Sequence, residues 1–84
     1  MSKLSKTESR YMARVAYLPC CACNNIPVQV HHLRGIKRNN FLVIPLCPAC
    51  HTGEFSIHMD RKSFEAIHGS ELFLLAKTIE ALNK

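Results

Sequence analysis

Two pairs of cysteines are the most distinctive chemical groups in this 84-residue chain. The pairs are Cys20 with Cys23 and Cys47 with Cys50, and each has two residues between its members. Four thiolates at this spacing can converge on one tetrahedral zinc ion. Because four protein ligands leave no open coordination position, the pattern predicts a structural zinc and places any catalysis elsewhere. Buried free cysteines are the simpler alternative.

A fifth cysteine, Cys21, lies next to the first pair. Pairing Cys21 with Cys23 would leave only one residue between the two ligands, so we interpret Cys21 as a packing residue. A thiol redox site formed by Cys20 and Cys23 is a second alternative, but it gives the other matched pair no role.

Four histidines lie close to these cysteines in the sequence. His31 and His32 are adjacent, His51 directly follows the second cysteine pair, and His58 comes seven residues later. Adjacent side chains in a strand point to opposite faces, so one histidine of the pair can hold a metal while the other faces a substrate. His31, His51 and His58 could bind a second divalent ion with positions left for water and a phosphate oxygen. Satisfied core histidines are the alternative, above all for His58.

The sequence also predicts the elements that would position these side chains. A first helix is capped by Ser5 or Thr7 and ends before Pro19. Segments 28–30 and 41–46 are predicted strands of a hairpin, joined by a basic turn that contains Gly35. A helix or tight knuckle begins at Pro48.

Two further helices are predicted towards the C-terminus. The first is stopped by Gly69, which makes His68 a helix-end residue, and the second opens at Ser70. One face of the last helix is predicted to be core and carries Leu72, Leu75, Ala76, Ile79 and Leu82. The chain is interpreted as one α+β domain.

The charge balance is basic, with eleven Lys and Arg against six Asp and Glu, a net charge of +5 and a pI near 9.2. Such a balance is compatible with a nucleic-acid partner. No apolar run approaches the roughly 18 residues that a membrane span needs, and the first ten residues lack the apolar core of a secretory signal. We therefore expect a cytoplasmic protein.

Together the segments "VAYLPCCAC", "QVHHLRG", "VIPLCPACHTGEFSIH" and "SFEAIHG" resemble the zinc-stapled branch of the HNH endonucleases. They are most similar to the phage recombination-enhancement group, the Ref-type nucleases that work with the RecA recombinase. The likeness runs from about residue 14 to residue 69. It implies one HNH domain over residues 1–84, with a small, treble-clef-like ββα-metal fold, flanking helices and a four-cysteine structural zinc.

The resemblance also implies a role for each histidine. His31 matches the first metal ligand, His32 the general base, His51 the last histidine of the HNH motif, and His58 a further ligand. The family's central asparagine is missing, because the position nine residues before His51 holds Leu42. Asn39 or Asn40 is the candidate replacement.

The implied activity is metal-dependent hydrolysis of DNA phosphodiester bonds in recombination, repair or processing, in a bacterial cell or encoded by a phage. The catalytic ion would be Mg, Mn, Ni or Zn. Arg34, Lys37 and Arg38 in the turn, with Arg61 and Lys62 beyond His58, are expected to contact phosphates. DNA is the expected partner and a recombinase filament a further candidate. A non-catalytic zinc module that binds DNA or docks a protein is the alternative function.

Overall fold

The computed structural model describes residues 4–84, so the first three residues of the predicted domain lie outside the described part. The chain forms a small α+β fold. Its elements are α1 (Lys6–Ala16), β1 (Gln29–His32), β2 (Val43–Leu46), α2 (Pro48–Thr52), α3 (Arg61–His68) and α4 (Glu71–Leu82).

Helix α1 is capped by Ser5, one of the two predicted caps. The Ser5 hydroxyl accepts from the Glu8 backbone N–H at 3.0 Å, and the Glu8 carboxylate accepts from the Ser5 N–H at 2.9 Å. This reciprocal capping box satisfies two helix-end donors that have no partner within the helix. It also holds the Glu8 carboxylate at the first turn. Val15 is the buried residue of the helix.

Strands β1 and β2 form an antiparallel two-stranded sheet in which His31 pairs with Ile44 and His32 with Val43. The predicted hairpin is confirmed, although β1 runs two residues further, to His32, and β2 begins two residues later, at Val43. All four residues of β2 are buried, because α1 and α4 both contact this strand. Residues 33–42 form the basic turn, in which residues 34–39 are exposed and Leu33 is buried.

Two short helices, α2 and α3, follow the sheet. Pro48 opens α2 at a position where its missing N–H costs no helical hydrogen bond, and the helix ends at Gly53. Asp60 caps α3 by accepting from the Ser63 N–H at 3.2 Å. Gly69 ends α3 with a φ of 99°, a left-handed conformation that favours glycine.

The prediction for the buried face of α4 is confirmed for Leu75 and wrong for Leu72, Ala76 and Ile79. Its buried residues are Glu71, Leu74, Leu75 and Thr78, whereas Leu72 and Ile79 are exposed. The helix is rotated because Glu71 finds buried partners on β1 and α3, and the Thr78 hydroxyl donates to the Leu74 carbonyl at 2.9 Å. Two polar side chains therefore lie on a face that a purely apolar pattern would have excluded.

The core lies where β2, α3 and α4 meet the cysteine cluster. Its largest fully buried members include Ile44, Leu46, Ile57, Phe64 and Leu74. Among residues 4–84, no helix combines the length and apolar character needed to cross a bilayer.

Candidate metal centres and catalytic histidines

The four predicted thiol ligands come together. Their sulfur atoms all lie within 4.8 Å of one another. Cys23 Sγ is 3.4 Å from Cys47 Sγ and 3.7 Å from Cys50 Sγ. Zinc–sulfur bonds of about 2.3 Å in a tetrahedron require sulfur separations of about 3.8 Å, so the four thiols fit one zinc-sized ion. The cluster could hold a structural metal that joins the turn before β1 to the start of α2.

The protonation of these thiols supports a cation at their centre. Burial raises the pKa of Cys20, but backbone N–H donors such as that of Cys47 outweigh it and hold the pKa at about 7. Burial, neighbouring thiols and the charge of Cys20 raise the pKa of Cys50 far above its usual range. Without a cation the first thiolate therefore opposes the formation of others, whereas a bound divalent ion would deprotonate all four.

Cys21 does not join the cluster and is half-buried beside α4. Burial and the nearby Cys20 raise the pKa of its thiol to about 12, so the side chain is a neutral thiol at physiological pH. Its interpretation as a packing residue agrees with this environment.

A second cluster is formed by His31, His51 and His58. One ring nitrogen from each lies within 4.8 Å of the other two, and the ring centroids are 4.7 to 5.1 Å apart. His51 Nε2 is 3.1 Å from His58 Nε2. The cluster runs from the buried His31 through the half-buried His51 to the exposed His58, so it opens to solvent on one side.

Hydrogen bonds orient two of the three rings. Glu71 Oε2 is 2.7 Å from His31 Nε2, and an ionised carboxylate can only accept, so His31 donates from Nε2 and keeps the Nδ1 lone pair free. Gln29 Oε1 is 2.7 Å from His51 Nδ1, which leaves Nε2 available. Burial lowers the pKa of both His31 and His51. Neutral, oriented imidazoles of this kind are the form that binds metals.

Glu71 is the buried hub behind this cluster. Besides His31, its carboxylate accepts from the Arg34 backbone N–H at 3.1 Å and pairs with the Arg61 guanidinium at 3.1 Å. Burial would raise the pKa of Glu71, but these donors outweigh it and lower the pKa, so the group stays ionised. One carboxylate thus ties α4 to β1, to the basic turn and to α3.

His32 lies on the other face of β1, as the alternation along a strand predicts. Its Nε2 is 2.9 Å from Asn40 Oδ1, and Asn40 Nδ2 donates to Glu8 Oε2 at 3.1 Å. Because the Glu8 carboxylate can only accept, the Asn40 amide must direct its NH₂ group to Glu8 and its oxygen to His32. His32 therefore carries its proton on Nε2, and Nδ1 has a free lone pair.

Asn39 and Asn40, the two candidate replacements for the HNH family's asparagine, make different hydrogen bonds. Asn39 Oδ1 accepts from the Phe41 N–H at 2.8 Å and orders the turn, whereas Asn40 orients His32. Leu42 packs against the core.

The remaining charged candidates have different environments. Arg34, Lys37 and Arg38 are exposed in the turn, and Lys62 is exposed on α3. Arg61, also expected to contact phosphate, has its guanidinium paired with Glu65 and Glu71. His68 ends α3 with its ring 4.8 Å from Phe64, so it packs at a helix end as predicted. Glu54 is exposed.

Three residues that orient the histidines were missed by sequence reasoning: Gln29, Glu71 and Glu8. Gln29 is two residues before His31, so strand periodicity placed it on the same face and could have suggested the contact. Glu8 and Glu71 had only capping signals, since both lie in the first turn of a helix.

Comparison with known proteins places the chain in a family. The model of the family described as "Protein of unknown function (DUF968)" matches residues 2–83. The chain belongs to the DUF968 family. A relative from Escherichia coli (strain K12), named "Uncharacterized protein YdfU", is 30% identical over 80 residues, which cover 87% of this chain and 22% of the relative. The chain therefore spans about a fifth of the length of this curated relative.

Proposed function

We propose that this DUF968 chain is a metal-dependent HNH-type endonuclease that hydrolyses phosphodiester bonds in DNA. The observation that carries the proposal is that two adjacent histidines of β1 lie on opposite faces of the strand in different surroundings. His31 joins the three-histidine cluster on one face, while its neighbour His32 lies on the other face with its Nδ1 lone pair free. The hairpin followed by α2 would then be the ββα-metal unit, stapled by a zinc ion on the four cysteines.

His32 would be the general base. Asn40 fixes its tautomer and ring plane, so Nδ1 can accept a proton from the attacking water as the oxygen approaches phosphorus. Histidine is the side chain that most often accepts or donates a proton in catalysis near neutral pH, which suits this role. The proton ends on His32, and solvent at the exposed turn can remove it after cleavage.

The cluster of His31, His51 and His58 would hold the catalytic ion. A divalent ion bound there would stabilise the charge that develops on the scissile phosphate and on the leaving 3′ oxygen. The three imidazoles fit Mn, Ni or Zn at least as well as Mg. Glu71 and Gln29 support the cluster by fixing which nitrogen of His31 and His51 faces inwards.

Substrate binding would be mainly electrostatic. Arg34, Lys37 and Arg38 are exposed in the turn that follows β1, close in sequence to His32. Contacts to phosphates position a nucleic acid without reading its bases, so we expect strong salt dependence and weak sequence preference. We place the activity in DNA recombination, repair or processing, with a recombinase filament as a candidate partner, and this placement rests on the sequence resemblance.

A nicking assay tests the proposed activity. Supercoiled plasmid and single-stranded DNA are incubated with the zinc-loaded protein and added Mg, Mn, Ni or Zn. His32→Ala is compared with the unaltered chain, and His68→Ala serves as a matched control because His68 lies outside both clusters. We expect metal-dependent nicking that His32→Ala abolishes and His68→Ala retains.

Two other results would contradict the proposal. Folded protein that cleaves neither DNA with any of the four ions would favour the alternative, a zinc module that only binds DNA or docks a protein. Cleavage that persists in His32→Ala would remove His32 as the base.

A further inference from the structure

A second candidate site lies beside His32, between α1 and the turn that leads into β2. It is a cleft of about 280 Å³ lined by Thr7, Arg10, Tyr11, Arg14 and Phe41. Ligand pockets for small organic molecules begin at about 300 Å³, so this cleft has the size for one planar group and not for a larger ligand. We call it the aromatic–arginine cleft.

Positive charge dominates this cleft. Arg10 and Arg14 are four residues apart on α1 and so lie on the same helix face. Arg14 is oriented by donating from its guanidinium to the Leu82 carbonyl at 2.8 Å. Within residues 4–84, the ion pairs involve neither of these arginines. Their charge is therefore available to an external anion.

Aromatic surface provides the second half of the cleft. The rings of Tyr11 and Phe41 pack edge to face, with centroids 5.3 Å apart and an interplanar angle of 62°. In this arrangement one ring presents its face to the edge of the other, and Phe41 keeps 40% of its surface exposed. Exposed aromatic rings beside arginines are the combination on which proteins stack the bases of single-stranded nucleic acids.

The cleft is linked directly to the proposed general base. Thr7 precedes Glu8, and Phe41 follows Asn40 in the sequence. Glu8 and Asn40 are hydrogen-bonded to each other at 3.1 Å, and Asn40 contacts His32 at 2.9 Å. A strand whose phosphate reaches His32 would therefore pass close to the aromatic–arginine cleft.

We propose that the aromatic–arginine cleft binds one unpaired nucleotide of the substrate strand, with its base stacked on Phe41 or Tyr11 and its phosphate on Arg10 and Arg14. Bases in a duplex are covered by their neighbours, so the cleft favours single-stranded or locally unpaired DNA. The position of this nucleotide next to the cleaved bond rests on the proposed nuclease function. The binding of single strands does not.

Binding to a short labelled oligodeoxynucleotide, single-stranded or as its duplex, tests the cleft by fluorescence anisotropy. All proteins carry His32→Ala, so that cleavage cannot interfere. Phe41→Leu removes the ring but keeps apolar bulk, and Tyr17→Leu is the matched control, because Tyr17 is 90% exposed outside the cleft. We expect Phe41→Leu to weaken single-strand binding about fivefold or more and duplex binding less than about twofold. Tyr17→Leu should weaken neither kind of binding.

The arginines are tested by salt dependence. Arg10→Gln should reduce the slope of log Kd against log salt concentration for single strands by about 0.7, which corresponds to one lost phosphate contact. Lys77→Gln on α4 is the charge-matched control and should leave the slope unchanged.

The two tyrosines and the absence of tryptophan provide an independent readout. In a Tyr17→Phe variant, Tyr11 is the remaining tyrosine emitter, and a base stacked in the cleft should quench its fluorescence. Because this signal comes from the cleft itself, it reports base contact even where a variant alters overall affinity.

The outcomes separate this proposal from the nuclease proposal. Three results would overturn the proposed role of the aromatic–arginine cleft. They are equal weakening of single-strand and duplex binding by Phe41→Leu, no weakening at all, and no quenching of Tyr11. If Phe41→Leu and Tyr11 respond as expected but the protein with His32 intact never cleaves DNA, the cleft stands as a single-strand binding site and the nuclease proposal fails.

Discussion

Asn40 accepts a hydrogen bond from His32 while donating one to Glu8, at 2.9 Å and 3.1 Å. The carboxylate fixes the amide, and the amide fixes the imidazole, so a residue of the first helix determines which nitrogen of His32 is free. This relay joins α1 to the face of β1 opposite the three-histidine cluster. It makes the capping box of α1 part of the candidate site.

The relay predicts that Asn40→Ala lowers the rate of DNA cleavage more than it lowers DNA binding. Loss of a residue that orients a functional histidine typically costs about tenfold to a hundredfold in activity, and we expect the loss in kcat. Asn39→Ala is the neighbouring control, because within residues 4–84 the Asn39 side chain hydrogen-bonds to the turn backbone and not to His32. Equal loss of kcat in both variants would show that turn order, not orientation of His32, is what matters.

Glu8 predicts a pH dependence. Hydrogen bonds from the Ser5 backbone, Asn40 and the Ser5 hydroxyl lower its pKa below the ordinary 4.5. A lowered folded-state pKa contributes stability that is complete above the unfolded value and is lost as pH falls through the folded value. The free energy of unfolding of the unaltered chain should therefore exceed that of Glu8→Gln above about pH 4.5, and this difference should disappear in stronger acid.

NMR titration of the Glu8 carboxyl gives the direct measurement. Ser5→Ala should raise the pKa of Glu8 towards 4.5, since it removes one of the stabilising donors. An unchanged pKa in Ser5→Ala would mean that the hydroxyl contributes nothing to this carboxylate.

The thiol cluster predicts a clear difference between neighbouring cysteines. Cys47→Ser should lose tightly bound zinc and unfold the domain, because metal affinity contributes folding free energy in so small a core. Cys21→Ser should keep the metal, since Cys21 lies outside the cluster. Zinc content is measured after gel filtration. Thiolate ligation is measured by the thiolate–cobalt absorbance of the cobalt-substituted protein, and folding by far-UV circular dichroism.

A reversed result would change the assignment of ligands. Loss of the thiolate–cobalt absorbance in Cys21→Ser, with the absorbance retained in Cys23→Ser, would make Cys21 the fourth ligand. Cys23 is the most accessible of the four cysteines, so it is the ligand that Cys21 could most easily replace. Comparing Cys21→Ser with Cys23→Ser tests this replacement.

Glu71 predicts a measurable contribution to stability. Glu71→Ala removes the partner of His31, of the Arg34 N–H and of Arg61, and each buried donor left unpaired costs about 1–3 kcal/mol. Arg61 keeps Glu65 and some solvent contact, so we expect a total loss near the lower end, about 2 kcal/mol, in urea unfolding of the zinc-loaded protein. Glu65→Ala is the control and should cost about 0.5 kcal/mol, as exposed helical pairs do.

Glu71→Ala should also weaken metal binding at the three-histidine cluster, because His31 loses the partner that fixes its Nε2 proton. Isothermal titration with Mn or Ni, with the thiol cluster already zinc-loaded, measures this effect. Affinity unchanged from that of the unaltered chain would mean that packing alone orients His31.

The sequence by itself indicated which side chains form the two clusters. The cysteine pairs have a local spacing that suits zinc whatever the rest of the chain does, and the adjacency of His31 and His32 fixes their opposite directions once the segment is a strand. Local signals also predicted the Ser5 cap, the start of α2 at Pro48 and the end of α3 at Gly69. These features depend on backbone geometry within a few residues.

The tertiary structure decided which partners hold the histidines in place. Glu71 lies forty positions from His31, and Asn40 binds Glu8 across thirty-two. Neither contact can be predicted from the periodicity of the sequence. A buried carboxylate is stable only when donors from other elements converge on it, and these elements are brought together by the fold. The same contacts rotate α4 away from its most apolar face and occupy Arg61, so packing of distant elements overrode the local hydrophobic pattern.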